Sequence, residues 1–91
     1  MAAIAIGDCT VSLITPMAGA NLYSIVTPAT ADDGDTVDIS TICKAGEIYF
    51  ATCQGATDGN ITAAFTTAGV VTIPGSTDNE ARTIFVLAQE A

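Results

Sequence analysis

Apolar and polar residues alternate along most of this chain with a period of two, as they do on strands with one buried face. In residues 9–15, Cys9, Val11 and Leu13 share a face opposite Thr10 and Ser12, a pattern that predicts a half-buried strand stopped by Pro16. Residues 17–21 read as a turn, 22–27 as a second strand ending at Pro28, and 29–35 as a polar loop. Alternation resumes over 36–40, with Val37 and Ile39 inward and Asp38 and Ser40 outward. Residues 42–46 read as a connection, with Gly46 able to take a positive φ.

The strongest strand is 47–53, which carries apolar bulk on both faces, Ile48 and Phe50 on one and Tyr49 and Cys53 on the other. That pattern suits a central strand or one covered by a neighbouring subunit. A glycine-rich turn over 54–60, with Asp58-Gly59 as its hairpin signal, leads to a strand over 61–66. Residues 67–69 form a short hairpin into the return strand 70–73, and 74–79 is turn chemistry again. The last strand, 82–89, sets Ile84 and Val86 against Phe85 and Leu87, which places it beside 47–53 in the centre of the sheet. Phe50 and Phe85 are expected in the core.

About seven short strands and no convincing helix predict an all-β chain. The natural architecture is one small antiparallel β-sandwich or jelly-roll-like barrel spanning residues 1–91. Alanine favours helix, but Thr, Val and Ile interrupt most alanine-rich stretches at period two.

Composition narrows what such a domain does. Of the 91 residues, 49% are hydrophobic and only 13% charged, with ten acids against two bases and a net charge of −8. So few charges on a small domain suggest that part of the surface meets another protein. Lys44 and Arg82 are the only cations, which argues against nucleic acid as a partner, because holding phosphates means replacing their counterions with Lys and Arg. No stretch approaches the ~18 apolar residues of a membrane span. The start of the chain lacks a basic segment, and its apolar run breaks at Gly7-Asp8, so synthesis in a cytosol without standard export is expected.

With no histidine, Ser–His and Cys–His nucleophile pairs are excluded. The acidic stretch Asp32, Asp33 and Asp35, with Asp38 beyond it, has two readings. It is a solvated turn whose aspartates cap their own backbone, or it is a weak calcium site built from carboxylate oxygens. A twelve-residue calcium loop counted from Asp32 ends on Cys43 and not on the glutamate such a loop requires. Apart from that, no metal or cofactor is expected. Asp38 and Glu47 are the carboxylates nearest to a glycosidase-like pair, but a domain this short leaves little room for a cleft, so the chain reads as a non-enzyme. Tyr23 and Tyr49 are the residues available for a small sugar platform. Cys9, Cys43 and Cys53 fit neither a zinc site nor a redox pair, and read as small buried hydrophobes or as forming a disulfide, either between two of them or between copies of the chain.

From Gly34 onward the runs Gly34-Asp-Thr-Val-Asp-Ile39, Glu47-Ile-Tyr-Phe-Ala-Thr-Cys53, Gly69-Val-Val-Thr-Ile73, Gly75-Ser-Thr-Asp-Asn79 and Thr83-Ile-Phe-Val-Leu87 stand in order. Together they resemble short virion proteins of tailed bacteriophages, some of them similar to head decoration (cement) proteins. The likeness covers roughly residues 34–88 and lies in the style of strand and turn. It implies a viral structural protein on the outer capsid surface, made in the host cytoplasm, bound to the major capsid protein and assembled as a homo-oligomer, with a trimer favoured. The residues expected at the interface are Ala3, Ile4, Ile6 and Tyr49, with 1–8 as a docking segment. The alternatives are a free surface- or carbohydrate-binding β-module, and a tail, fibre or filament subunit.

Overall fold

The structure is a computed structural model that describes residues 2–17, 20–57, 59–75 and 77–90. Nine strands lie in two sheets among these residues: β1 (Ala3–Ile4), β2 (Thr10–Met17), β3 (Ala20–Val26), β4 (Thr36–Asp38), β5 (Cys43–Gly55), β6 (Gly59–Thr62), β7 (Ala64–Phe65), β8 (Val70–Thr72) and β9 (Thr83–Glu90). One sheet has the order β1-β4-β8-β7 and the other β2-β3-β9-β5-β6. The chain is an all-β sandwich, as the alternation predicts. One pairing departs from antiparallel: β1 runs parallel to β4.

The apolar faces of the two sheets meet in one core. Val37, Ile39, Val71 and Ile73 come from the four-stranded side, and Ile25, Ala51, Ile84, Val86 and Ala88 from the five-stranded side. Period two holds strictly in β9, where Ile84, Val86 and Ala88 are buried while Thr83, Phe85 and Leu87 are half-buried on the outer face. As expected, β9 lies beside β5. Its other neighbour is β3.

Several local expectations are corrected. Phe85 lies half-buried on the outer face of β9 and so is not in the core. Phe50, 44% exposed, is not in the core either, and beside it Tyr49 is 52% exposed. In β5 a β-bulge is the reason. Ile48 opposes Ala88 and Phe50 opposes Leu87, so two β5 residues stand against one on β9. The extra residue inverts the phase of the strand. Ile48 points in, Phe50 points out, and Ala51 and Cys53 point in again.

Residues 43–46 join β5 instead of forming a connection. The run 61–66 divides at the buried Ala63, because β6 belongs to the five-stranded sheet and β7 to the other. Pro16 does not end β2, but pairs with Asn21 inside the strand. Ala18 and Gly19 of the expected turn, Asp58 of the hairpin signal and Ser76 of the 74–79 turn lie outside the described residues.

The half-buried strand expected at 9–15 is instead an exposed edge. Val11 and Leu13 stand opposite Ile25 and Tyr23 and therefore on the core-side face. Yet they are 37% and 52% exposed, because the smaller sheet ends short of β2.

Candidate functional site

The acidic loop is fastened to its surroundings by its own carboxylates. Asp35 is buried, and its two oxygens accept from the Ala2 and Asp32 N–H groups, each at 2.9 Å. Asp32 Oδ1 accepts from the Asn79 N–H at 2.8 Å, and Asp78 Oδ1 accepts from the Asp33 N–H at 3.3 Å. Gly34, at φ 85°, lets the loop turn so that its N–H reaches the Ile73 carbonyl at 2.9 Å. Asp38 stands apart on β4, exposed, with Oδ1 accepting from the Ser40 N–H at 2.9 Å. That bond holds its carboxyl below the ordinary aspartate pKa, whereas a glycosidase acid needs a raised one.

No group of three or more His, Cys, Asp or Glu among the described residues is arranged to hold a metal ion. Asp32, Asp33, Asp35 and Asp38 are therefore not assembled into a calcium cage. Asp35 stitches the start of the chain to the loop, so Asp35→Asn sets an amide N–H₂ against one of two backbone N–H groups. The expected cost is about 1.5–2 kcal/mol of stability, measured by urea denaturation.

Behind the loop lies Arg82, which is 1% exposed. Its guanidinium donates to the carbonyls of Ala31 (3.4 Å), Glu80 (2.5 Å) and Thr77. One of the two cations is thus internal, which leaves Lys44 as the surface cation. The charged side chains gather away from the middle of the larger sheet. Asp8, Asp32, Asp33, Asp78 and Glu80 stand near the end where β3 finishes and β9 begins. Lys44 and Glu47 lie towards the other end.

Between the two ends the outer face of the five-stranded sheet is uncharged. Leu22, Leu87 and Phe50 form one cross-strand row, and Ser24, Phe85, Thr52 and Thr62 form the next. Beside this face runs the open edge of β2, with Leu13 52% and Ile14 48% exposed. The tyrosine platform is not formed. Tyr23 is buried, and its hydroxyl oxygen accepts from Asn21 Nδ2 at 3.1 Å.

The residues expected at an interface fall on two surfaces. Ala3, Ile4 and Ile6 line an open groove of about 460 Å³ together with Thr36, Asp38 and Val70. Ile4 and Ile6 are half-buried there, packed against the core. Tyr49 projects from the other sheet. A second recess, of about 90 Å³ beside Ile48 and Phe65, is below the size that holds a small-molecule ligand.

No disulfide joins Cys9, Cys43 and Cys53. Burial pushes the Cys43 thiol from 9.0 up to about 11, and burial with the neighbouring Asp8 carboxylate also raises Cys9. At pH 8 only about 0.1% of Cys43 is thiolate. Ellman's reagent at that pH is expected to reach Cys9 alone and slowly in the folded protein, and all three thiols after unfolding. In the unfolded chain the Cys43 thiol ionises near 9.0 and in the folded chain near 11. Between those values unfolding releases a proton, so stability is full below pH 9 and falls as the pH rises towards 11.

Sequence reasoning missed the outer face and the β2 edge. The signal was present, because no charged residue occurs between Cys9 and Ala31. No protein-family model, curated protein or solved structure matches this chain.

Proposed function

We propose that the protein is a viral structural subunit that binds the outer surface of a tailed-phage head as a decoration protein. The observation that carries this reading is the uncharged outer sheet face, with its row of Leu22, Leu87 and Phe50, in a chain of net charge −8. Apolar groups shown to water without charges among them are the usual material of a protein–protein contact. The style of strand and turn over residues 34–88 supplies the virion context.

In this reading the work is mechanical. Each copy, as part of a homo-oligomer, lies across a junction between major capsid subunits and buries apolar area at about 25 cal/mol per Å². Because it binds the assembled shell and not free subunits, it stabilises the shell by linkage. The negative charge faces outward, away from packaged DNA. The reading calls for neither a nucleic-acid nor a membrane partner, and a chain with Lys44 as its surface cation offers little to phosphates.

The test is mass spectrometry of purified virions from the phage that encodes the chain, followed by selective stripping of the protein. The chain is expected in stoichiometric amount, and stripped heads are expected to rupture at lower temperature. Its absence from intact particles overturns the reading.

A further inference from the structure

From the backbone of β2 we infer that two copies of this chain pair through that strand, antiparallel about a two-fold axis at Ser12, so that the five-stranded sheets of both join into one. The hydrogen-bond parity comes first. The Thr27 N–H bonds the Arg82 carbonyl at 2.8 Å, and from there the β3–β9 register advances one residue at a time. Odd-numbered residues of β3 therefore turn their backbone groups towards β9, and even-numbered ones towards β2. Ser24 opposes Ser12, so Ser12 bonds inward to β3, while Val11 and Leu13 direct N–H and C=O out from the open edge. Such an edge is a template that a second extended strand can pair along its length.

The occupant that fits is a second β2. Centred on Ser12, antiparallel pairing sets Val11 against Leu13 of the second copy, and Leu13 against its Val11. Each of these pairs exchanges both backbone bonds. Because antiparallel pairing keeps faces together, the four side chains meet on the core side, where Val11 and Leu13 overhang the smaller sheet at 37% and 52% exposed. Thr10 and Ser12 fall together on the outer side.

Charge agrees with this geometry. β2 itself carries none, and Asp8 of one copy lies opposite residue 16 of the other. The two acidic ends are then ~27 Å apart along the strands, well beyond a Debye length of about 8–10 Å. A parallel arrangement would place them side by side. Pro16, which has no N–H to offer, lies at a position of the open side and limits the pairing to the strand before it.

The area is that of a weak dimer. The paired stretch, residues 9–15, spans ~23 Å, and with side chains on both faces it hides on the order of 400 Å² per copy. The total, ~800 Å², is below the standard size of specific interfaces, and dissociation is expected at about 100 µM.

This inference concerns the chain alone and does not rest on shell binding. Light scattering of the purified protein from about 1 to about 500 µM, which brackets a weak interface, is expected to pass from one to two times 9.1 kDa. Leu13→Lys, at an exposed position, is expected to move that midpoint by about tenfold or more while leaving the urea melt unchanged. Ser12 pairs with itself across the axis at a non-hydrogen-bonded site, the closer kind. In a Cys9→Ser background, Ser12→Cys is therefore expected to give a covalent dimer on mild oxidation, and Thr10→Cys is not. A mass of one chain at all concentrations, a mass of three chains or an open-ended series, or failure of Ser12→Cys to cross-link overturns the proposal.

Discussion

Arg82→Met is expected to lower the free energy of unfolding by about 3–5 kcal/mol, the largest effect of any single change considered. The side chain sits directly before β9 and is almost wholly enclosed, at 1% exposure. Its guanidinium is the donor for the carbonyls of Ala31, Thr77 and Glu80, which belong to the two loops that close this end of the sandwich. The backbone is held as well, since the Arg82 N–H donates to Thr27 Oγ1 at 2.8 Å. Methionine fills comparable volume but donates nothing, so acceptors in a dry site lose their partner. Lysine restores a charge but not the planar fork, and Arg82→Lys is expected to fall between wild type and Arg82→Met. Urea denaturation followed by circular dichroism measures both. A loss below about 1 kcal/mol for the methionine variant would show that these carbonyls find other donors.

Gly55→Ala is expected to cost about 3 kcal/mol, an unusual penalty for adding one methyl group. Gly55 is buried at the end of β5, facing inward in phase with Ala51 and Cys53. A Cβ there would stand 2.7 Å from Glu80 Oε1, 2.9 Å from Arg82 Cδ and 3.1 Å from Arg82 Nε. Neither neighbour is at liberty to withdraw. The Glu80 carboxylate accepts from the Thr57 N–H at 3.0 Å and from its hydroxyl at 2.7 Å, and Arg82 is fixed by its three carbonyls. The two positions share one space, so the double variant Gly55→Ala, Arg82→Met is expected to cost less than the sum of the singles. Strict additivity in a double-mutant cycle would mean that the methyl group strains something other than Arg82.

Much of the fold is legible from alternation where a strand is regular and has a sheet above it. Val37, Ile39, Ile84 and Val86 fall on the core side as their periodicity predicts. The failures have local physical causes. At Tyr49 and Phe50 a one-residue bulge reverses the parity, and no side chain in that run announces it. At Val11 and Leu13 the alternation is correct but the cover is missing, because the width of the opposing sheet depends on β1 and β7, each only two residues long. Arg82 reads as a surface cation until the loop carbonyls that surround it are placed. The acidic loop was legible as a set of backbone caps, since Asp and Gly at these spacings favour local hydrogen bonds. Which distant segments those caps would hold, Ala2 and Asn79 among them, depends on the tertiary fold. The absence of charge from Cys9 to Ala31 is visible in the sequence, but only the order of strands shows that one open edge and one outer face share that span.

The place of β9 between β3 and β5 bears on how the molecule is made. The ribosome delivers the hairpins β2–β3 and β5–β6 first, and each has one flank that only β9 can fill. Until β9 emerges, the nascent chain holds two sticky ribbons and no strand to join them. The decisive step of folding therefore waits for β9, and in that interval those ribbons have their greatest chance of mispairing.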